Sequence, residues 1–339
     1  MGALVKGKFE GYREIEPDLL VKEASLDLLS EIDSLVLDID GVVIDVSQSF
    51  RVAMSKTVQH YFSKVLGWPG ETTLITPEET QAFKLAGGFN NDWELTYAIV
   101  LFYLGKAEKL FATYLDYLRE RGQKIEDFTA KVAQEGGGLE VAGRLTLGSL
   151  NEAQRRNVVE LWRKDEIKQI FQEYYAGIDH CERLYGFKPT HIKEKGLLNA
   201  ERILLDKSLL APFLPRVAVV TGRTKKEAQV ALERSGLVDF ISPELVLSDD
   251  GGLRKPDPGV LLDVGSRMKT GVGIYIGDTL DDLRTVKNFG GLQTEMVFLS
   301  GIVLRKAEES QIYIKENADV LSKNVNDILS VVLDKRGRR

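Results

Sequence analysis

Two regions of the chain differ in the spacing of their apolar residues. From about residue 48 to 206, apolar side chains recur every three or four positions, as in SFRVAMSKTVQHYFSKVL and DWELTYAIVLFYLGKAEKLF. This spacing is typical of helices that bury one face. The sequence therefore predicts an almost wholly helical region here, with no convincing strand.

After residue 215, short apolar runs alternate with helical stretches. The runs RVAVVTG, ELVLSD, GIYIGD and MVFLSG predict strands, and TKKEAQVALERSG, PGVLLDVGSRM and DDLRTVKNFG predict helices. Such alternation is typical of a parallel sheet covered on both faces. One earlier apolar strand, predicted at 35–38, has no parallel partner before this region.

These patterns predict an α/β fold whose core is discontinuous in sequence. We expect a Rossmann-like α/β core formed by residues 1–46 and 207–339. A large all-helical domain, residues 47–206, is expected as an insertion after the first strand of that core. Ligands of open α/β sheets bind at the carboxyl ends of the strands, so reactive side chains are expected at those positions.

Composition and charge narrow the classes of function. The 339 residues include 45 Lys and Arg against 51 Asp and Glu, a net charge of −6, which argues against a nucleic-acid partner. The single cysteine, Cys181, cannot form an internal disulfide. No secretory pattern begins the chain, and no run reaches the roughly 18 apolar residues of a membrane span. We expect a cytoplasmic protein with no nucleic-acid or membrane partner and leave its oligomeric state open.

The first predicted strand ends in two carboxylates, in the segment SLVLDIDGVVID. Asp38 and Asp40 are two residues apart, so in an extended chain both side chains lie on one face. Buried carboxylates are costly unless a positive charge holds them, which favours a cation and a reaction here. Taken alone, the motif is more typical of a polar strand end that leads into a turn at Gly41, and the remaining motifs reverse this preference.

The next predicted strand ends in Thr221, Gly222 and Arg223. A hydroxyl followed by a glycine N–H is suited to binding a phosphoryl oxygen, although a Thr-Gly turn after a strand is common. Lys255 follows in GGLRKPDPG, where Pro256 restricts the backbone and helps to aim the ammonium group. The alternative for Lys255 is a solvated loop lysine.

A fourth strand end carries acidic residues in GIYIGDTLDDL. Asp278 and Asp282 are four apart, so both can lie on one face if a helix begins here. Acidic residues in a first helical turn also stabilise the helix dipole, which is the alternative role. Spacing alone favours Asp282 over Asp281 as the inward-facing residue.

The four motifs, in this order, resemble those of the haloacid dehalogenase-like (HAD) hydrolase superfamily. The match consists of D-x-D-G-V-V-x-D, h-h-T-G-R, K-P and G-D-T-x-x-D, where h is apolar. The helical insertion after the first motif is similar to the C1 cap of subfamily I, which includes phosphoglycolate phosphatase-like proteins. The resemblance implies that Asp38 is the nucleophile and Asp40 the general acid and base.

The resemblance also implies the remaining roles. Thr221, Gly222 and Lys255 are expected to bind the phosphoryl group, with Lys255 also assisting catalysis. Mg²⁺ is the expected cofactor, held by Asp38, Asp278 and Asp282 and by the backbone carbonyl of Asp40, so that Asp40 is also a metal residue.

The resemblance predicts a Mg²⁺-dependent phosphatase that hydrolyses a small phosphorylated metabolite through an aspartyl-phosphate. Covalent catalysis by a carboxylate splits one difficult displacement into two easier ones. Dehalogenases of the superfamily lack the second aspartate, so Asp40 favours phosphate-ester chemistry. The alternatives are a phosphomutase or phosphotransferase on the same core and a non-catalytic phosphate-binding module.

Candidate substrate contacts come from the expected insertion and from the motif flanks. In FKLAGGFNNDWEL, Lys84, Asn90 and Asn91 flank a break between two predicted helices. We expect this loop to contact substrate, the alternative being a helix corner with an N-cap. Asp45 and Arg223, beside the first two motifs, complete the set.

Overall fold

The chain forms two compact units in the computed structural model, which describes residues 9–89 and 91–337. One unit comprises the chain up to Asp45 and from Arg202 onward, and the other runs from Val46 to Glu201. Strands occur in the first unit, and the second is helical.

In its described residues, the first unit combines ten strands with five α-helices. The strands are β1 (Tyr12–Glu16), β2 (Leu19–Lys22), β3 (Ser34–Leu37), β4 (Ile44–Asp45), β5 (Arg202–Ile203), β6 (Val217–Val220), β7 (Val246–Leu247), β8 (Val272–Gly277), β9 (Val297–Val303) and β10 (Val320–Ser322). Helices α1 to α8 belong to the second unit and are described with it. The helices here are α9 (Lys225–Ser235), α10 (Gly259–Met268), α11 (Leu280–Phe289), α12 (Ser310–Lys315) and α13 (Val325–Gly337).

Eight of these strands form one sheet, in the order β1-β2-β10-β9-β8-β3-β6-β7. Strands β10, β9, β8, β3, β6 and β7 are parallel, whereas β1 and β2 add an antiparallel edge. All four residues of β3 are buried, as expected for a central strand covered on both faces. The predicted α/β class is confirmed, and β3 pairs with β6 and β8 as the sequence pattern requires.

Three strands of the sheet were absent from the sequence prediction. These are β1 and β2, in the first thirty residues, and the three-residue β10. The apolar side of this end of the sheet is a buried cluster that includes Leu20, Leu283, Ile302, Tyr313 and Leu321. The N-terminal segment therefore completes the core beside β9 and β10.

The described part of the second unit contains eight α-helices. They are α1 (Phe50–His60), α2 (Thr80–Ala86), α3 (Asp92–Leu110), α4 (Leu115–Glu120), α5 (Ile125–Gln134), α6 (Gly138–Gly148), α7 (Glu152–Leu161) and α8 (Lys164–Tyr185). Helix α3 is central, and most of its residues are buried. The rings of Phe50 on α1 and Tyr175 on α8 are stacked, with their centroids 4.1 Å apart. No helix among the described residues has both the length and the apolar character needed to cross a bilayer.

Candidate active site

The parallel register brings the first and fourth motifs to one edge of the sheet. In the β3–β8 pairing, Leu37 lies opposite Ile276, and the N–H of Asp38 donates to the carbonyl of Ile276 at 2.9 Å. Asp38 and Asp278 therefore follow neighbouring strands directly. Both are buried, with 3% and 6% of their surfaces exposed.

Lys255 joins two carboxylates at this edge. Its ammonium Nζ lies 2.9 Å from Asp38 Oδ2 and 2.8 Å from Asp282 Oδ1. The residues on either side of Lys255 are held by other contacts. Arg254 Nε donates to the carbonyl of Asp249 at 3.0 Å, and the Asn288 amide donates to the carbonyl of Pro256 at 2.9 Å.

Asp282 is the inward-facing residue of the acidic pair, and its two oxygens accept five hydrogen bonds. Oδ1 accepts from Lys255 and from the Tyr275 hydroxyl at 2.6 Å. Oδ2 accepts from the N–H groups of Asp278 and Thr279 and from the Thr279 hydroxyl. These bonds make the carboxylate of Asp282 a fixed anchor for Lys255.

Asp281, in contrast, pairs with Arg284 one turn along α11, at 3.3 Å. The helix-cap alternative also holds for this segment, since Thr279 and Asp282 form a reciprocal capping box. Asp282 thus both caps α11 and binds Lys255.

The second motif supplies a buried arginine that holds Asp40. Arg223 is 1% exposed, and its Nε and Nη2 lie 2.9 and 2.7 Å from Asp40 Oδ1. The buried hydroxyl of Thr221 accepts from the N–H of Arg223 at 3.2 Å. Arg223 was predicted to contact substrate; the structure shows it bound to the second aspartate, and substrate contact stays a prediction.

An arginine that the sequence analysis missed holds Asp278. Arg305 donates from Nε and Nη2 to Asp278 Oδ2, at 3.0 and 2.5 Å. Tyr313, on α12, donates from its hydroxyl to the backbone carbonyl of Asp278 at 2.9 Å. Because β9 pairs in register with β8, Gly277 opposite Ile302, residues after β9 reach the same edge of the sheet.

Two glycines leave room for these carboxylates. A Cβ on Gly41, where φ is +78°, would lie 2.3 Å from Asp278 Oδ2. A Cβ on Gly277 would lie 2.3 Å from the Asp282 carboxyl carbon. Any side chain at either position would displace a carboxylate, which explains the glycines of the two motifs.

The surroundings shift the pKa values of the two neighbouring carboxyl groups, Asp38 and Asp282, in opposite directions. Burial raises the pKa of Asp38 to about 8 although Lys255 opposes the rise. Burial likewise disfavours charge on Lys255, but Asp282 and Asp38 outweigh it and raise the pKa of Lys255 well above its ordinary value. The pKa of Asp282 is lowered despite its burial, chiefly by Lys255. Lys255 therefore stays cationic, and its charge is shared unequally between the two aspartates.

The donor set fits Mg²⁺. Asp38, Asp278 and Asp282 each place one carboxylate oxygen within 4.8 Å of the others. Hard carboxylate oxygens are the ligands that Mg²⁺ prefers. Since Asp282 already accepts five hydrogen bonds, Asp38 and Asp278 have the greater capacity for the cation.

The predicted substrate contacts at residues 84–91 have structural partners within the helical unit. Lys84 forms an ion pair with Asp92 at 3.1 Å. Asn91 is the N-cap of α3 and accepts from the N–H of Glu94 at 2.9 Å. Asn90 lies outside the described residues. These contacts match the helix-corner alternative, and substrate contact by this segment stays a prediction.

Asp45 lies in β4, opposite Arg202 of the short strand β5. Along the sequence, the chain leaves the first unit after β4 and re-enters it at β5. A substrate role for Asp45 also stays a prediction.

Comparison with known proteins agrees with this geometry. The model of the haloacid dehalogenase-like hydrolase family matches residues 32–290. Phosphatase Tt82 from Thermococcus thioreducens is 24% identical over 88% of this chain and 98% of its own, with a TM-score of 0.54. A solved structural-genomics target is 14% identical over 91% of this chain and all of its own, with a TM-score of 0.57. These likenesses show the fold.

One curated relative is a longer protein. An imidazoleglycerol-phosphate dehydratase of Phytophthora nicotianae is 24% identical over 269 residues, which cover 78% of this chain but 43% of that protein. The family match, by contrast, spans most of this chain and all four motifs. The expected family is confirmed: the chain belongs to the haloacid dehalogenase-like hydrolases.

Proposed function

We propose that this protein is a Mg²⁺-dependent phosphatase that hydrolyses a small phosphorylated metabolite. The observation that carries the proposal is the position of Lys255 between Asp38 and Asp282 at the carboxyl end of the sheet. A buried nucleophile beside a fixed cation suits attack on an anionic phosphorus centre. Family membership supports hydrolysis as the class of reaction.

In the first half-reaction, an Asp38 oxygen attacks phosphorus and the bond to the leaving alkoxide breaks. Asp40 donates a proton to that alkoxide, and Arg223 orients the Asp40 carboxyl group. Thr221, Gly222 and Lys255 bind the phosphoryl oxygens. The product of this step is the alcohol together with a phosphoryl group on Asp38.

In the second half-reaction, water attacks the phosphorus of the acyl phosphate. Asp40 accepts a proton from that water, and the bond to Asp38 breaks, which releases phosphate and restores the carboxylate. Bound Mg²⁺, held by Asp38, Asp278, the Asp40 carbonyl and the flanking Asp282, would supply positive charge that offsets the repulsion between carboxylate and phosphate.

The proposal is tested by phosphate release from phosphorylated sugars, nucleotides, phosphoglycolate and aryl phosphates, with Mg²⁺ or with EDTA. We expect release that requires Mg²⁺ and falls by at least about 10³-fold in Asp38→Asn, since the nucleophile is lost. Asp239, on the exposed surface, gives a matched control in which Asp239→Asn keeps the wild-type rate.

Phosphate release that survives in Asp38→Asn would contradict the assigned nucleophile. No release from any substrate, by a folded protein that binds Mg²⁺, would contradict hydrolysis and favour transfer to a specific acceptor. The ranking of the panel identifies the substrate class.

A further inference from the structure

A buried lysine lies in the helical unit without an acidic partner. Lys106, on α3, is 7% exposed and makes no hydrogen bond or ion pair to any residue that the structure describes. Its ammonium lies 5.6 Å from the ring centres of Phe102 and Tyr103. Such cation–π contacts compensate only part of the cost of burying a charge.

The electrostatic surroundings of Lys106 make this charge less favourable still. Burial and the neighbouring guanidinium of Arg119 lower the pKa of Lys106 to about 8. Arg119 has its own partner, because it pairs with Glu79 at 2.5 Å. Glu79 is therefore paired with Arg119, and Lys106 has a like charge beside it.

Lys106 also lines two cavities, of about 70 and about 200 Å³. The larger contains three glutamates in its wall, including Glu79. The smaller has no carboxylate among the described residues of its wall, and its polar side chains are Lys106, Lys109, Gln123 and Thr146. The smaller cavity is thus positively charged.

Thr146, on α6, also contributes to the wall of the smaller cavity. Its methyl group lies toward Gly105, where a Cβ would be only 2.3 Å away, so close packing fixes this side chain. Its hydroxyl is fully buried and therefore does not face the cavity. A lysine ammonium without a protein acceptor is costly to bury, and an anionic acceptor in the cavity would satisfy it.

We propose that the cavity between α3, α5 and α6 binds a small oxyanion through Lys106, with Lys109 and Gln123 as the other donors in its wall. Its volume is about five times the roughly 15 Å³ that one water needs, which suits an ion with about five heavy atoms. Phosphate, sulfate and short carboxylates share this chemistry. Lys109, also in the wall, adds a second positive charge, although burial and Lys131 lower its pKa.

The direct test is the rate at which each lysine is acetylated in a brief pulse of acetic anhydride, read by peptide mass spectrometry. The protein is kept in EDTA, and chloride is replaced by phosphate, sulfate or acetate at constant ionic strength. We expect at least one oxyanion to slow the acetylation of Lys106 several-fold and saturably. Exposed Lys226 is the internal control and keeps a constant rate. Lys255 is read separately, so binding at the candidate active site is not mistaken for binding here.

Lys106→Met provides a second readout that does not depend on acetylation. Without an oxyanion, this variant should melt at the wild-type temperature or above it, since a buried unpaired charge is removed. Oxyanions should also raise the melting temperature of Lys106→Met less than they raise that of Lys168→Met, the control on α8. Acetylation of Lys106 that no oxyanion changes, or a Met variant that is less stable in chloride alone, would overturn the proposal. Both readouts are independent of the proposed phosphatase activity.

Discussion

Buried carboxylates occur in both units of the molecule, and their partners differ. In the helical unit, Glu173 is fully buried and accepts from the N–H groups of Thr190, His191 and Ile192 at 2.6 to 2.9 Å. In the α/β unit, Asp38 shares Lys255 with a second carboxylate. One group is satisfied mainly by backbone donors, and the other depends on a shared cation.

The two environments shift the pKa values in opposite directions. Burial alone would raise the pKa of Glu173, but hydrogen bonds led by the N–H of Thr190 lower it. Burial raises the pKa of Asp38 to about 8, and Lys255 does not cancel that rise. The difference teaches how to separate a structural carboxylate from a reactive one, because a reactive group is left with an unmet demand for positive charge.

The largest expected effect on stability comes from removing the shared cation. Lys255→Met leaves Asp38 and Asp282 buried without their partner, so the free energy of unfolding should fall by about 3–5 kcal/mol. Denaturant unfolding at neutral pH measures this. Lys226→Met, on the exposed face of α9, is the control and should stay within about 0.5 kcal/mol of the wild type. Equal stability of the two variants would show that the cluster does not need Lys255.

A smaller loss is expected when Glu173 is neutralised. Glu173→Gln replaces a charged acceptor of three backbone N–H groups, so stability at pH 7 should fall by about 1–3 kcal/mol. Glu182→Gln, at an exposed position of α8, is the matched control and should change little. Phosphatase activity below the melting temperature should stay at the wild-type level, which distinguishes Glu173 from Asp38.

The pH dependence of the same pair sharpens the comparison. The pKa of Glu173 is lower in the folded than in the unfolded protein, so its contribution is complete above the unfolded pKa of about 4.3. It is lost as pH falls through the folded pKa. The stability difference between wild type and Glu173→Gln should therefore shrink in acid. A difference that grows as pH falls would contradict the assignment.

The smallest expected effect concerns Arg305. Its guanidinium contacts Asp278 Oδ2, so Arg305→Gln removes a positive charge next to an expected metal ligand. We expect Mg²⁺ to bind roughly tenfold more tightly, a change of about 1.4 kcal/mol in calorimetric titration. Arg284→Gln, whose partner is Asp281, is the control. Weaker binding in Arg305→Gln would instead make Arg305 an orienting partner of Asp278.

The sequence predicted the central sheet because its strands are continuous apolar runs that end in polar motifs. It did not predict β1, β2 or β10, since β1 is a partly exposed edge strand and β2 and β10 have only four and three residues. Such short strands are defined by their pairing with distant segments more than by local pattern.

The site residues were predicted because they lie where apolar strands end in polar motifs. Two residues that hold them in place, Arg305 and Tyr275, were missed. Arg305 was overlooked because β9 was predicted to end near residue 301, whereas it continues to Val303. Tyr275 was hidden inside an apolar strand, where its hydroxyl had no visible partner. In both cases the partner is an aspartate from another segment, so only the folded register reveals the contact.

The most direct test of the central claim is to identify the phosphorylated residue during turnover. Asp40→Asn, which should slow hydrolysis of the acyl phosphate, is mixed with Mg²⁺ and an aryl phosphate, whose leaving group does not need the proton that Asp40 otherwise donates, and is quenched in acid within one turnover. We predict one phosphoryl group on the peptide that contains Asp38. We predict none in the double variant that carries both Asp40→Asn and Asp38→Asn. Phosphate release without any phosphorylated peptide, or a phosphoryl group on another residue, would contradict the account.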